Sequence, residues 1–191
     1  MDDTHIITCA HVVNTALGRD QRAQDDPDPQ VRVQVDFPML GGAAGAPSRN
    51  CAVEVWAPPP SSGISGGDVA GLVVVGEELP RGAGPARLAD PVTVRDVAAA
   101  FGYPGDPPRR DNGAWADLRL RGVVGGGMIQ LDTDSESAIR AQPGYSGSPV
   151  IVTTEAGDAV LGMLAVASGE SRARTRMRYR CPSWPRPGPM S

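Results

Sequence analysis

The sequence has no lysine, two histidines and three cysteines, and aromatic residues occupy only 4% of its 191 positions. All 18 basic residues are therefore arginine, which the codon bias of a GC-rich genome explains more simply than selection for an anionic partner. The cysteines, Cys9, Cys51 and Cys181, are odd in number and do not have the pattern of a disulfide framework. We therefore expect reduced thiols and a cytoplasmic protein.

Targeting and membrane-spanning segments are also missing. No apolar run approaches the length of a membrane span, and the initial Met-Asp-Asp lacks the positive charge and apolar stretch of a signal peptide. The net charge of −4 is uneven: residues 1–171 carry all 22 acidic residues and 12 arginines, whereas residues 172–191 carry six arginines and no acidic residue. An acidic body argues against a nucleic-acid enzyme, so we expect neither a nucleic-acid nor a membrane partner.

What the sequence does contain is typical of a β protein. Hydrophobic residues make up 40% of the chain, and 24 glycines and 19 prolines separate short apolar segments. The predicted strands lie at residues 5–13, 31–35, 51–56, 69–75, 92–102, 115–124, 128–132, 149–152 and 160–166. Residues 14–30 are predicted to be a loop, and no segment has the periodicity of an amphipathic helix. The fold class is therefore predicted as all-β.

Three side chains with catalytic potential each lie beside an apolar segment. His11 lies in Thr-Cys-Ala-His-Val-Val, Asp68 begins Asp-Val-Ala-Gly-Leu, and Ser146 lies in Pro-Gly-Tyr-Ser-Gly-Ser-Pro. Each is ordinary alone, since a single histidine in an apolar run is usually a core residue and an aspartate after two glycines is usually a turn residue. Together they supply the base, the orienting carboxylate and the nucleophile of serine catalysis. Their order excludes an α/β-hydrolase, in which the serine comes first.

These segments resemble the histidine, aspartate and serine motifs of chymotrypsin-fold serine peptidases. Residues 100–104, Ala-Phe-Gly-Tyr-Pro, resemble the glycine-Tyr-Pro corner of bacterial members of the HtrA and trypsin-like class. The resemblance covers residues 4–168 and is greatest to bacterial cytosolic modules, which are often fused to signalling domains. It implies a polypeptide substrate and fused or interacting signalling domains. The two histidines, His5 and His11, lie six positions apart without a ligand set around them, so no metal is expected, and no cofactor is expected either.

The resemblance also implies a fold and a role for each residue. Two packed antiparallel β-barrels would form the cleft, with His11 as general base and then acid, Asp68 as its orienting partner and Ser146 as nucleophile. Backbone N–H groups of Gly144 and Ser146 would form the oxyanion hole. The first barrel is expected in residues 1–80, with His11 and Asp68. The linker and second barrel, with Ser146, are expected in residues 81–171.

Three departures from the family pattern alter these expectations. Tyr145 stands where digestive relatives have an aspartate that pairs with a cleaved N-terminus, so that activation route is not expected. Val12 stands where secreted relatives have a half-cystine, which agrees with a reducing compartment. Only ten residues precede His11, so the first barrel is expected to lack its N-terminal strand and to have an open edge.

The C-terminal residues 172–191 leave two alternatives open. Arginine occupies every second position from 172 to 180, which is typical of a strand with one basic face. This segment is either a final, incomplete strand of the second barrel or a basic tail that contacts an acidic partner. Residues 181–191, with four prolines, are predicted to be a disordered tail.

The function predicted from these motifs is a serine endopeptidase that hydrolyses peptide bonds through an acyl-enzyme on Ser146. One alternative is a catalytically weak or inactive relative that serves as a regulatory or peptide-binding module. A second alternative is a protein that contacts nucleic acid through its arginine-rich end.

Overall fold

The computed structural model of the chain describes residues 5–41, 45–61, 67–90, 97–105, 112–124, 128–134, 139–167 and 174–178. Four features of the sequence prediction lie outside these residues: Cys181, the tail at residues 181–191, and parts of the strand at 92–102 and of the arginine-rich segment at 172–180. Within the described residues, no helix is long and apolar enough to cross a membrane.

The first half of the chain folds into an antiparallel four-stranded sheet, in the order β1-β4-β3-β2. Its elements are β1 (His5–Thr8), helix α1 (Ala10–Ala16), β2 (Val33–Asp36), β3 (Ser48–Ala57) and β4 (Val69–Val74), with a 3₁₀ turn at Pro38–Leu40. Its core is built from small and branched side chains: Val13, Val33, Cys51, Ala70, Leu72 and Val74. Among the described residues this sheet is open, and β1 is one of its edges.

Helix α1 differs from the sequence prediction, which extended the first strand to residue 13 and began a loop at residue 14. The strand ends at Thr8, and seven residues of helix follow. The buried residues Ala10, Val13 and Asn14 are three and four positions apart, which is helical spacing. Asn14 also donates its side-chain N–H groups to the carbonyls of Gln21 and Ala23. The helix is too short for its period to stand out in the sequence.

The second half of the chain forms a closed antiparallel barrel, in the order β10-β7-β6-β5-β8-β9. Its strands are β5 (Val97–Gly102), β6 (Ala114–Val124), β7 (Met128–Thr133), β8 (Pro149–Thr154), β9 (Gly157–Ala167) and β10 (Arg174–Arg178). Strict alternation of buried and exposed residues at the start of β6 places Ala114, Ala116 and Leu118 in the barrel. Strand β10 pairs with both β7 and β9 and so closes the barrel.

The chain between the two sheets attaches to the second barrel. Val160 in β9 accepts a hydrogen bond from the N–H of Ala89 and donates one to the carbonyl of Arg87. The prediction of an all-β fold with two antiparallel β-barrels of the chymotrypsin type is therefore confirmed, the first unit as a four-stranded sheet and the second as a closed barrel. The division of the chain at residues 80 and 171 stays a prediction.

Candidate active site

His11 and Asp68 are brought together by the pairing of β1 with β4. Thr8 at the end of β1 lies opposite Ala70 in β4, so the residues just beyond Thr8 and just before Ala70 share one end of the sheet. There His11 Nδ1 lies 2.9 Å and 3.0 Å from the two carboxylate oxygens of Asp68. A neutral imidazole that donates from Nδ1 carries its lone pair on Nε2, and Nε2 makes no hydrogen bond within the described part of the chain.

Asp68 is held in an unusual backbone conformation with φ of 59°. Its own N–H donates to the carbonyl of Pro58 at 2.7 Å. The preceding Gly67 also has positive φ, and a Cβ there would overlap the same carbonyl. The two residues therefore turn the chain so that the Asp68 carboxylate points back at the start of helix α1, where it is only 4% exposed.

The Asp68 carboxylate has a second role at this point. Oδ1 accepts a hydrogen bond from the backbone N–H of His11 at 3.0 Å. Backbone N–H groups in the first turn of a helix lack intrahelical acceptors, and the N-cap residue Cys9 makes no side-chain capping bond. Asp68 thus fixes both the backbone and the ring of His11, whose side chain is 24% exposed.

The loop that contains Ser146 is anchored by Tyr145. This side chain is 1% exposed, and its hydroxyl donates to the carbonyl of Ala114 in β6 at 3.1 Å. Burial raises the pKa of the Tyr145 phenol above 10.0, so the hydroxyl stays a donor at neutral pH. The Tyr145 N–H bonds the carbonyl of Gln142, and the Ser148 N–H bonds the carbonyl of Tyr145. These bonds leave Ser146 at the tip of a tight turn, partly exposed.

The backbone of Gly144 requires glycine. Its φ is +107°, and a Cβ would overlap the carbonyl of Tyr103. The Gly144 carbonyl accepts from the Tyr103 N–H at 2.9 Å. By contrast, the N–H groups of Gly144 and Ser146 have no acceptor among the described residues. These are the two N–H groups that the family resemblance predicts as oxyanion-hole donors.

The serine loop contacts the histidine segment through Gly147. A Cβ on Gly147 would overlap Thr8 Oγ1 and lie 3.4 Å from the backbone nitrogen of Cys9. The carbonyl of Leu164 in β9 accepts two hydrogen bonds. One comes from the Gly147 N–H of the serine loop at 2.8 Å, and the other comes from the Cys9 thiol of the histidine segment at 3.3 Å. All three predicted triad residues therefore lie in one region. Within the described residues, Ser146 makes no hydrogen bond to His11.

Sequence reasoning missed several supporting groups. The carbonyls of Pro58 and Leu164 position Asp68 and Gly147, but a backbone carbonyl has no side-chain signature that a sequence pattern could reveal. For Cys9 the sequence predicts only a reduced thiol. It is buried and contributes to a cluster in which donor atoms of Cys9, His11 and Asp68 lie within 4.8 Å of one another. Sulfur, imidazole and carboxylate are ligand types suited to a zinc ion.

A comparison with protein families agrees with this geometry. A family model described as trypsin-like peptidase domain matches residues 1–163, a range that contains His11, Asp68, Gly144 and Ser146. A search of curated proteins finds no significant match. Since the family model covers most of the chain, and the two antiparallel sheets agree with its fold, the chain belongs to the trypsin-like peptidase family.

Proposed function

We propose that the protein is a serine endopeptidase with His11, Asp68 and Ser146 as its catalytic triad. The observation that carries the proposal is the His11–Asp68 pair. Both carboxylate oxygens lie within 3.0 Å of Nδ1 and the carboxylate is buried. This arrangement holds one tautomer of the ring and directs Nε2 away from the acid, as a general base requires.

In the proposed reaction, Ser146 Oγ attacks the carbonyl carbon of a peptide bond while His11 Nε2 takes its proton. The Asp68 carboxylate stabilises the resulting imidazolium. The N–H groups of Gly144 and Ser146 bind the oxyanion, and each such donor contributes about 2.7–4 kcal/mol of transition-state stabilisation. His11 then gives its proton to the leaving amine, and a water molecule hydrolyses the acyl-enzyme by the reverse sequence of proton transfers.

The proposed setting is the cytoplasm of a bacterium, with a polypeptide as substrate. Cys9 and Cys51 are buried thiols, and Val12 leaves no partner for the bridge that secreted relatives have beside the histidine. Buried thiols are compatible with a reducing compartment. The resemblance of the motifs to bacterial modules supports a bacterial origin. Cell fractionation of the native host would test whether the protein lies in the cytoplasm.

A weak or inactive peptide-binding module is a second candidate. One observation favours it: Ser146 makes no hydrogen bond to His11 within the described residues. The nucleophile–base bond is often loose in structures without substrate, so the same geometry is compatible with an active enzyme. The two candidates differ in whether Ser146 forms a covalent adduct.

Fluorophosphonate labelling separates them. We expect the wild-type chain to be labelled and to hydrolyse a casein-type protein substrate, and Ser146→Ala to lose both activities. Ser148→Ala is the matched control, because Ser148 lies in the same turn and its backbone makes the hydrogen bonds while its side chain makes none to the described residues. It should retain labelling and hydrolysis.

Two outcomes would contradict the proposal. If Ser146→Ala is still labelled, another residue is the nucleophile. If the wild-type chain is neither labelled nor active but binds peptides, the inactive module is the correct interpretation. In the first case, mass spectrometry of the labelled peptide identifies the residue that is modified.

A further inference from the structure

We propose that Cys9, His11 and Asp68 form an inhibitory binding site for a thiophilic divalent cation such as Zn²⁺. The inhibition rests on the proposed peptidase function, whereas metal binding at this site does not. A sulfur, a ring nitrogen and a carboxylate oxygen, one from each residue, lie within 4.8 Å of one another. The cation would therefore occupy the catalytic residues themselves.

The donor distances are close to those of a tetrahedral zinc site. Zinc bonds of about 2.0–2.3 Å to nitrogen, oxygen and sulfur place the ligand atoms roughly 3.3–3.8 Å apart. The His11 Nδ1 and Asp68 Oδ2 atoms are already 2.9 Å apart. The remaining separations, which reach at most 4.8 Å, have to contract by at most about 1–1.5 Å. The His11 side chain is 24% exposed, so its ring can supply the part of this movement that involves the ring nitrogen.

Charge and burial favour a divalent cation over a monovalent one. Cys9 is fully buried and Asp68 is 4% exposed, so a charge placed between them has little solvent to stabilise it. A thiolate and a carboxylate together neutralise a doubly charged ion. Sulfur ligation selects zinc and other thiophilic ions over magnesium or calcium, which prefer oxygen ligands.

Binding would block catalysis through the tautomer of His11. In the free enzyme the ring donates from Nδ1 to Asp68 and its lone pair is on Nε2. When Nδ1 ligates the cation, the neutral ring carries its proton on Nε2, so Nε2 cannot accept the proton of Ser146. The Cys9 thiol proton is released to solvent as the sulfur–zinc bond forms, and the histidine keeps one proton throughout.

Cys9 is the residue that distinguishes this site from the triad. Its thiol donates to the Leu164 carbonyl at 3.3 Å, and the proposed peptidase mechanism assigns it no step. Cys9→Ala removes the sulfur ligand. Cys9→Ser keeps a donor that can reach the same carbonyl, and it replaces the sulfur with a poor zinc ligand. Labelling of each variant with and without zinc is therefore compared with that variant's own level in metal-free buffer.

The first experiment measures zinc binding directly, by competition with a chromophoric chelator. We expect one Zn²⁺ per wild-type chain and at least a roughly tenfold weaker affinity in both Cys9 variants. Cys51→Ala is the matched control, since Cys51 is also a fully buried thiol. His5→Gln is the second control, because His5 Nε2 and Glu54 Oε2 lie 2.7 Å apart at the surface. Both controls should bind zinc as the wild type does.

Co²⁺ substitution reports which atoms ligate. A sulfur-to-cobalt charge-transfer band in the near ultraviolet is expected for the wild type and for Cys51→Ala. The same band should be absent from Cys9→Ala. This measurement requires no peptidase activity, and it does not depend on the relative zinc affinities of the variants.

The second experiment adds zinc before fluorophosphonate labelling. Wild-type labelling should fall with zinc and recover with excess chelator, while labelling of Cys9→Ala should be insensitive. Equal zinc binding in the wild type and both Cys9 variants, or loss of binding in His5→Gln, would overturn the site. Cys9-dependent binding without any effect on labelling would overturn the inhibition.

The two proposals fail in different ways. A metal-free wild-type chain that is never labelled contradicts the peptidase function, and the zinc and cobalt measurements still decide the site. A metal-free chain that is labelled but binds no zinc contradicts only the metal site.

Discussion

At the residue scale, Asp68 combines two roles in one side chain. A non-glycine residue at φ of 59° is about 1–2 kcal/mol less stable than in an ordinary conformation. Three hydrogen bonds offset this cost: from its own N–H to Pro58, and from the His11 backbone and ring to its carboxylate. Local strain at this position is therefore stabilised by the contacts that also orient the candidate base.

The first residue-scale prediction concerns Asp68→Asn. Asparagine tolerates positive φ and keeps an oxygen for the His11 N–H, so the fold should persist. An amide donor facing Nδ1 favours the wrong tautomer, and kcat should fall by about four orders of magnitude. Steady-state hydrolysis and circular dichroism measure the two effects. Asp36→Asn, which removes a negative charge at an exposed position of β2, should leave kcat unchanged; an equal loss in both variants would point to net charge instead.

Replacement of Gly144 by alanine is expected to lower kcat. At φ of +107° an alanine is strained, and its Cβ would overlap the Tyr103 carbonyl. The loop must move, and loss of one oxyanion donor should lower kcat by about 10²–10³-fold. Gly105→Ala is the control, because a Cβ there has nothing within 4 Å. The kcat of both variants is measured with a chromogenic peptide substrate. A normal kcat in Gly144→Ala would exclude the Gly144 amide from the oxyanion hole.

At the scale of elements, the serine loop depends on strand β6 through Tyr145. The buried ring also fills the space beside Gly102 in β5, where a Cβ would lie 2.5 Å from the Tyr145 ring. The residue that departs from the digestive family pattern is thus a structural anchor in this chain. The loop is held by a neutral hydrogen bond and by packing of the Tyr145 ring.

Tyr145→Phe tests this anchor. It removes one buried hydrogen bond, so the free energy of unfolding should fall by about 0.5–1.5 kcal/mol. Tyr103→Phe is the matched control, since the Tyr103 hydroxyl bonds no described residue while its ring contacts Phe101 in an edge-on geometry at 5.6 Å. Urea denaturation followed by fluorescence measures both. An unchanged midpoint for Tyr145→Phe would show that packing alone holds the loop.

The effect of Tyr145→Phe on the free energy of unfolding should also depend on pH. Burial raises the pKa of Tyr145 and of Tyr103 above 10.0 and that of Cys51 above 9.0. Above these values the unfolded chain releases protons that the folded chain retains, so stability falls as the pH rises. Below about pH 8, roughly one unit under the ordinary Cys51 pKa of 9.0, the unfolded chain also keeps these protons and stability no longer depends on them. Tyr145→Phe should show a shallower alkaline loss of stability than the wild type in denaturation at a series of pH values.

At the scale of the whole molecule, strand β10 completes the second barrel. It supplies partners to β7 and β9 along their edges, although the family match ends at residue 163. Without β10, two strands would present unpaired backbone groups, a template for aggregation. Residues 174–178 of the arginine-rich segment therefore have a structural position that their charge alone does not suggest.

Truncation tests the contribution of β10. A chain that ends at residue 173 should be less stable than one that ends at residue 178. The expected loss is several kcal/mol, because each ladder bond contributes about 0.5–1.5 kcal/mol. Such a loss is a large part of the roughly 5–15 kcal/mol that stabilises a typical domain. Calorimetry and gel filtration compare the two chains. Equal melting temperatures would show that the barrel is stable without β10.

Most strands follow from local sequence. The period-two pattern of residues 31–35, 51–56 and 115–124 predicts β2, β3 and β6 because alternating side chains face core and solvent. The hairpin that starts β9 at residue 157, before the predicted residue 160, depends on Gly157 with φ of +102°. Helix α1 was missed because seven residues carry fewer than two periods of pattern.

Local sequence is enough to predict the all-β class, the order His11, Asp68, Ser146 and the small residues that let backbones approach. Those properties depend on side-chain type and on alternation along a few residues. Tertiary folding is needed to bring Asp68 into contact with both the ring and the backbone of His11, 57 positions away. It likewise decided that Leu164 joins Cys9 to Gly147. These contacts depend on strand register and on packing between the two sheets, which no short sequence pattern encodes.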